Sequence, residues 1–579
     1  MTTVLLFLLA GASPARAEVR SSFLMDGDPE IHVPPTIRRI SPTLKSLWFE
    51  ALARPEADMQ RLAADAIMRG HAFDDKAGLE QAVPRLETVL TNTATHPSAR
   101  LAAARALVEL EAKASAASMA ASAEQFGADL RQVIEPALAQ WDYRPMRDVW
   151  RARLKEPQTH HRELLLAVRC LAAAGDDSAA RDLLSIVHNA ERSVDLRIEA
   201  ARSAGILVDK GLETEARAVM ANAGRASIAN RLCGVQMIAR HAGDDAVSLL
   251  KEFAVDTEPA IAAIALARLV EIDPHLVLPL SPTAIHNTDV KVRRLAAQAY
   301  VQVPDASRVT ALARLLNDPH PGVRHQVCEW LHELSRIPEL DEPIRRCATE
   351  ILDGDDWRGL EQASLLLAAL DHKAAAQRLV ELADSGRGEV RIAAAWGSKM
   401  LAVPETLPAL LTVALRRTET RMGNVPAPSD LDVQTAHLLE LFGKTKYREA
   451  EPLLKRYIPR ELVKMGVFSR PAAIWSLGHL HAGIPDEDLA KQLAARIADV
   501  NSSPSEVAPV RAMSAVSIGR MKAVSQTTLV RQFMGDPIVA DELPLRFRWA
   551  VMELTGEFIP EPTSPIVGKG GWFLEPLAQ

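Results

Sequence analysis

Aromatic side chains make up only 4% of this 579-residue chain, and just four of them are tyrosines. A β-sandwich or barrel fills its pleated surfaces with aromatic and β-branched residues, so that scarcity argues against both. Cysteine is rarer still: there are four, none in a C-x-x-C pair. That excludes a disulfide scaffold and the C-x-x-C-H haem attachment of a self-contained cytochrome. Lys and Arg number 67 against 74 Asp and Glu, a formal net charge of −7 with no long basic run. A nucleic-acid binder needs a basic face, so no nucleic-acid partner is expected.

Motifs of catalysis and metal binding are missing as well. The chain has no H-E-x-x-H and no G-x-S-x-G, and Gly568-Lys569-Gly570-Gly571 lacks the spacing of a phosphate loop. Asp353-Gly354-Asp355-Asp356 begins like a calcium loop, but its twelfth position is Ser364 instead of an acid. Helix N-capping by Asp355 or Asp356 explains it more simply. His479 and His481 are two apart, which on a helix turns them about 160° from each other and away from a shared ion. His160 and Glu163 are better spaced but stand alone. The expectation is no catalytic, cofactor or metal residue, hence a protein that is not an enzyme and carries no cofactor.

What the chain does have is a repeated phrase. Its clearest copy is Pro321-Gly-Val-Arg324-His-Gln-Val327-Cys-Glu-Trp-Leu331-His-Glu-Leu334. From Arg324, residues three, seven and ten onward (Val327, Leu331, Leu334) share one helical face. The same frame starts at 61, 100, 131, 163, 197, 229, 262, 293, 324, 360, 391, 434, 470, 511 and 547. Nine of these fifteen anchors are arginine, and the steps from 100 to 324 are all 31 to 34 residues. Between anchors lies room for one more short helix, stopped by Asp-Pro or Pro-x turns such as Asp318-Pro319. A unit of that size cannot bury its apolar face alone and must stack on its neighbours. The apolar content of 48%, drawn largely from Ala and Leu, suits such close helix packing.

The phrase D-P-x-P-x-V-R-x-x-V/A resembles the HEAT-repeat family, especially its short bacterial form, over nearly the whole chain after Leu44. The resemblance implies an all-α fold, a right-handed α-solenoid of about 15 antiparallel helix pairs, and specifies little about function. It also implies that each anchor arginine pairs with a turn carboxylate or carbonyl of its own or a neighbouring unit, Asp318 being one partner for Arg324. Cys170, Cys233 and Cys328 occupy positions in the frame and read as buried small hydrophobes. Only Cys328 with Cys347, on adjacent helices, is placed for a disulfide.

The N-terminus reads differently. Val4-Leu-Leu-Phe-Leu-Leu-Ala10, followed by Ala15-Arg16-Ala17, has the apolar core and A-x-A end of a secretory signal, although no Lys or Arg precedes the core. The expected organisation is a signal peptide over 1–17, an extended segment over 18–43 and the repeat stack over 44–556. Loop insertions fall near 416–430 and 500–509, and an extended tail covers 557–579. The tail residues Gly570-Gly571-Trp572-Phe573-Leu574 are expected to cap the last repeat, because end repeats must hide an apolar face.

Together these readings predict an exported protein, periplasmic or extracellular, with no membrane span once the signal is removed. Its work would be protein–protein or peptide binding as a scaffold or adaptor of the bacterial cell envelope. The regions expected to carry contacts are the Arg416–Asp430 loop and the Trp572-Phe573 tail. Two alternatives follow from the resemblance: a HEAT-like lyase or chaperone of the phycobilin-lyase type that handles a chromophore, and an accessory subunit of an exported dehydrogenase or cytochrome. Four tyrosines and an export signal argue against the first.

Overall fold

The structure is a computed structural model that describes residues 19, 21–221, 228–422, 429–459, 466–535, 542–568 and 571–575. Among these are 31 α-helices and a single pair of two-residue strands. Each of the fifteen anchors falls inside its own helix, from Arg61 in Ala57–Phe73 to Phe547 in Glu542–Thr555. Another helix precedes each, shorter in all but two cases, so the repeat is an antiparallel helix pair. Residues 1–17, where a signal peptide is expected, lie outside the described residues.

The chain divides into two compact units. The first comprises Pro35–Ala299 together with residues 564 onward. Its helices begin where the sequence supplies a stop and a start: Pro97, Pro259 and Pro145 each open a helix in its first turn, where a missing N–H costs nothing. Helix pairs approach closely through small residues. A Cβ on Gly205 would stand 2.5 Å from the Met237 carbonyl oxygen, so only glycine fits where those two helices meet.

The tail does not cap the last repeat. Ile566–Val567 pairs in parallel with Ile37–Arg38, and Trp572 packs on Trp48 and Phe73 of the first two helices, Pro42–Leu52 and Ala57–Phe73. The Trp48 indole donates to the Phe573 carbonyl at 2.6 Å. Trp48 is fully buried as a result. Capping was the right role, and the first repeat is where it is performed. Strand pairing with residues 37–38 supplies backbone hydrogen bonds there (Ile37 N–H to Pro565 O, 2.8 Å).

The second unit comprises residues up to Pro34 together with Tyr300–Thr563. Its core runs through Leu438, Phe442, Ile474, Leu477, Ile518 and Phe547 on successive anchored helices. The insertion expected over Arg416–Asp430 is much shorter than that. Helix Leu407–Met422 continues through Arg416 to Met422, and the next helix begins at Asp430. No Gly or Pro interrupts the run before Gly423, and its side chains are anchored. Arg416 and Arg417 pair with Asp384, Thr418 bonds Tyr457 at 2.7 Å, and Arg421 pairs with Asp432 at 2.5 Å. Residues 423–428 lie outside the described residues. The other insertion is a loop up to Ala508, where its helix starts, and it delivers Glu506 into the interior.

Most of the anchor arginines form a ladder that uses two kinds of rung. The first is the turn just before the helix: Arg100 donates to Leu90 and Asn92 carbonyls, Arg197 to Val187, Arg293 to Asn287 and Thr288, Arg324 to Asp318 and Pro319. Asp318 thus serves Arg324 through its carbonyl oxygen. The second rung reaches the next unit. Arg131 pairs with Glu163, Arg197 bonds Asn230 at 2.8 Å, Arg391 pairs with Asp430, and Arg470 forks onto Glu506 at 2.7 and 2.8 Å. A planar guanidinium with five donors fits this double task where lysine would not. Glu163, an anchor that lacks arginine, is the acceptor for the anchor before it.

Candidate peptide-binding face

Five anchored helices lie side by side in the second unit: Gly388–Leu401, Asp430–Lys444, Ser469–Leu480, Ala508–Met521 and Glu542–Thr555. Ser469–Leu480 (SRPAAIWSLGHL) has no charged face and is buried nearly all round. Its backbone approaches its neighbours so closely that a Cβ on Gly443 would meet Ser476 Cα at 2.7 Å, and one on Gly478 would meet Ser517 Cα at 2.9 Å. A helix buried on every side needs cover on the side its neighbours leave open. The chain's own N-terminal segment provides it.

Residues 22–28 cross these helices as a strap, with one helical turn at Leu24–Gly27. Lys399 Nζ donates to the Ser22 carbonyl at 2.7 Å, and the Met25 N–H donates to Glu440 Oε1 at 2.9 Å. Arg546 donates to the carbonyls of Met25 and Asp26 at 3.2 and 2.8 Å. Phe23 stacks between His437 (4.7 Å) and Phe468 (5.2 Å). Asp28 is gripped by three donors: Trp475 Nε1 at 2.9 Å, His479 Nε2 at 2.6 Å and Arg520 Nη2 at 2.7 Å.

Under the strap sits a buried polar cluster. Lys399 Nζ also donates to Glu440 Oε2 at 2.7 Å and to His437 Nδ1 at 3.0 Å, so the Ser22 carbonyl completes its three bonds. All three side chains are fully buried. Burial lowers the Lys399 pKa against the pull of Glu440. Burial, with the Lys399 charge behind it, lowers His437 to about 4. Asp28 is lowered too: burial works to raise it, but the His479 bond and the Arg520 charge outweigh that.

The residues singled out in sequence are distributed elsewhere. His479 serves Asp28, while His481 bonds Glu451 at 3.0 Å, so the two histidines do point apart. Glu451, His481 and Asp486 come close enough to hold an ion. Yet Lys455 Nζ already lies 2.7 Å from Glu451 and 3.9 Å from Asp486, and Asp486 caps its helix through the Leu489 N–H. His160 and Glu163 line an open cleft with Arg131 and Arg153. Asp356 is the N-cap of Trp357–Ala369. The four cysteines are free and buried: Cys328 Sγ faces the Gln362 carbonyl at 3.8 Å and Cys347 Sγ faces Thr310 Oγ1 at 3.5 Å, so no disulfide joins them. Burial raises the Cys233 thiol to about 11 and lifts Cys170 and Cys328 further, which leaves them unreactive.

The strap's partners escaped the sequence reading because most lie off the apolar frame. Lys399 stands eight residues past Arg391, Glu440 six past Gln434, Trp475 and His479 five and nine past Arg470, and Arg520 nine past Arg511. The usable signal was the run of small and apolar residues over Pro471–Leu480, together with a lysine, Lys399, in another run of small and apolar residues.

An all-α stack of helix pairs held by this arginine ladder is a helical-repeat solenoid. Among solved structures it is similar to the importin-β group. Kap95p solved with RanGDP aligns with a TM-score of 0.51 and 13% identity, over 88% of this chain and 72% of that one. Importin β in an ammonium sulfate condition gives 0.49 and 12%, over 88% and 72%. Yeast importin-β (Kap95p) gives 0.45 and 12%, with the same coverage. At these identities the likeness is one of fold, the HEAT-repeat solenoid. No family model matches the sequence, and no curated protein matches it. No described helix is long and apolar enough to cross a membrane.

Proposed function

We propose that this protein is a non-enzymatic binding protein that holds extended protein segments, working in the bacterial cell envelope after export. One observation carries the binding reading: five successive helices already hold a short segment of the chain itself, through groups aimed at its backbone and through side-chain slots. Peptide backbone is captured by Lys399, Glu440 and Arg546 whatever its sequence, which is how a solenoid face takes up partners. Lys399, Glu440 and His437 bond one another, and Lys399 and Glu440 also bond the strap, an arrangement suited to holding a segment and not to activating a nucleophile. Export rests on the apolar core and the Ala15-Arg16-Ala17 end of the N-terminus.

Crosslinking the whole protein in the envelope, followed by identification of what is joined to it, tests the binding reading. Partners mapped to the five helices are expected; none above a control with an unrelated exported protein would refute it. Fusing residues 1–25 to a reporter tests the location, and a reporter retained in the cytoplasm would overturn export.

A further inference from the structure

Taking the binding reading as its base, we propose that this face recognises an acidic, aromatic segment of a partner protein: an aromatic residue followed, five residues on, by an aspartate. Residues 22–28 of the chain itself are the resident competitor. Phe23 and Asp28 have that spacing and fill two of the side-chain places on the face; Met25 between them is buried in the core and fills a third, apolar one. Ser22, Asp26 and Gly27 between and beside them are exposed, so those positions impose no sequence.

The face is charged to suit such a segment. Lys399, Arg520 and Arg546 present cations to the strap, His479 adds an N–H, and Glu440 is the acid that faces it, already committed to Lys399 and the Met25 N–H. A carboxylate held by an indole N–H, an imidazole N–H and a guanidinium is strongly preferred over a neutral side chain, because each bond is charge-assisted. The aromatic slot, two rings at 4.7 and 5.2 Å, takes a third flat ring between them.

Two features show that the strap does not saturate the face. Arg520 Nη1 is buried and has no hydrogen-bond partner, so a carboxylate that accepts from both guanidinium nitrogens would gain a bond that Asp28 leaves unmade. Next to Met25 and Asp26 lies a cavity of about 290 Å³ lined by Pro471, Pro509, Met513 and Arg546. A partner residue larger than methionine or aspartate at those positions would enter it. Since the strap is part of the same chain, it competes at high effective concentration, and a partner displaces it through this surplus of contact.

The test uses the full-length chain and a fluorescent peptide with the sequence of residues 19–33. Phe23→Ala with Asp28→Asn in the chain weakens the resident strap. In a parallel version a protease site is placed at exposed Pro35-Thr36 and cut after folding, which keeps every native contact until the strap dissociates. Circular dichroism confirms that each is folded. The peptide is expected to bind the weakened or cut chain at least about tenfold more tightly than the intact one, and its Asp28→Asn counterpart to bind about tenfold more weakly. Arg520→Gln in the face is expected to abolish the difference between the two peptides. Equal binding of both peptides to the Arg520-containing face, or no binding to the cut chain, overturns the proposal and leaves the strap a structural piece. An intact chain that is dimeric by light scattering and exchanges straps on dilution would instead make a second copy the occupant, which also overturns it. If the peptides fail while envelope partners still crosslink elsewhere on the repeats, this inference alone falls; if no partners crosslink, the binding reading falls whatever the peptides do.

Discussion

Lys399 Nζ lies 2.7 Å from Glu440 Oε2, and neither side chain reaches solvent. The pair sits on two adjacent anchored helices beneath the strap, and each partner also bonds the strap's backbone. Breaking such a pair from one side strands the other charge in the interior.

Lys399→Met is therefore expected to cost about 3–5 kcal/mol and Glu440→Gln somewhat less, since the amide still accepts a hydrogen bond. Lys399→Met combined with Glu440→Leu should recover most of the loss, because no charge is left uncompensated. Urea unfolding of the three variants checks this. A double variant that is less stable than both singles would show that the pair contributes net stability.

The arginine ladder separates buried rungs from exposed ones. Arg470 is 3% exposed and forks onto buried Glu506, while Arg61 pairs with Asp58 and Asp65 at the surface. Arg470→Ala is expected to destabilise the protein by about 3 kcal/mol, with buried Glu506 left, as an ion pair, only its longer contact to Arg496 at 3.4 Å. Arg61→Ala should cost less than about 1 kcal/mol. Thermal unfolding of both reads the contrast directly.

Trp572→Ala removes the ring that covers Trp48 and Phe73, a loss of about 2–3 kcal/mol to the first helices. Hydrogen exchange should quicken in Pro42–Leu52 and Ala57–Phe73 and stay unchanged in Ser469–Leu480. Unchanged exchange in the first two helices would mean that the tail is not their cap.

The repeat was plain in the sequence and the strap was not, for one physical reason. Arg324, Val327, Leu331 and Leu334 sit within three turns of one helix, so their spacing records the helix that makes them neighbours. The ladder extends that only to the next unit, as from Arg131 to Glu163. Phe23 meets His437, Asp28 meets Trp475, and Trp48 meets Phe573, across several hundred residues each; periodicity carries no record of contacts at that range. Composition misled in one place for a related reason. Gly423-Asn-Val-Pro-Ala-Pro marks a break, but the helix ahead of it is held to Met422 by Asp384 and Tyr457, more than 30 residues away, and by Asp432 beyond the break.

His437 makes the second unit sensitive to acid. Its neighbours are Lys399 from the preceding helix, Glu440 on its own helix, and the Phe23 and Phe468 rings. Burial and the Lys399 charge hold it at about 4 in the folded protein, against 6.5 for the free side chain. Between those values the unfolded chain takes up a proton that the folded chain refuses. Its contribution to stability is therefore complete above about pH 6.5 and declines as pH falls toward 4, by about 3 kcal/mol in total. Denaturant unfolding at steps from pH 7 to 4 should show the decline in the wild type. His437→Gln should flatten it by that amount whatever its own baseline stability, because the slope with pH reports the proton and not the packing. Identical slopes in the two proteins would mean that His437 is open to protonation in the folded state, and that the cluster beneath the strap is wetter than its geometry implies.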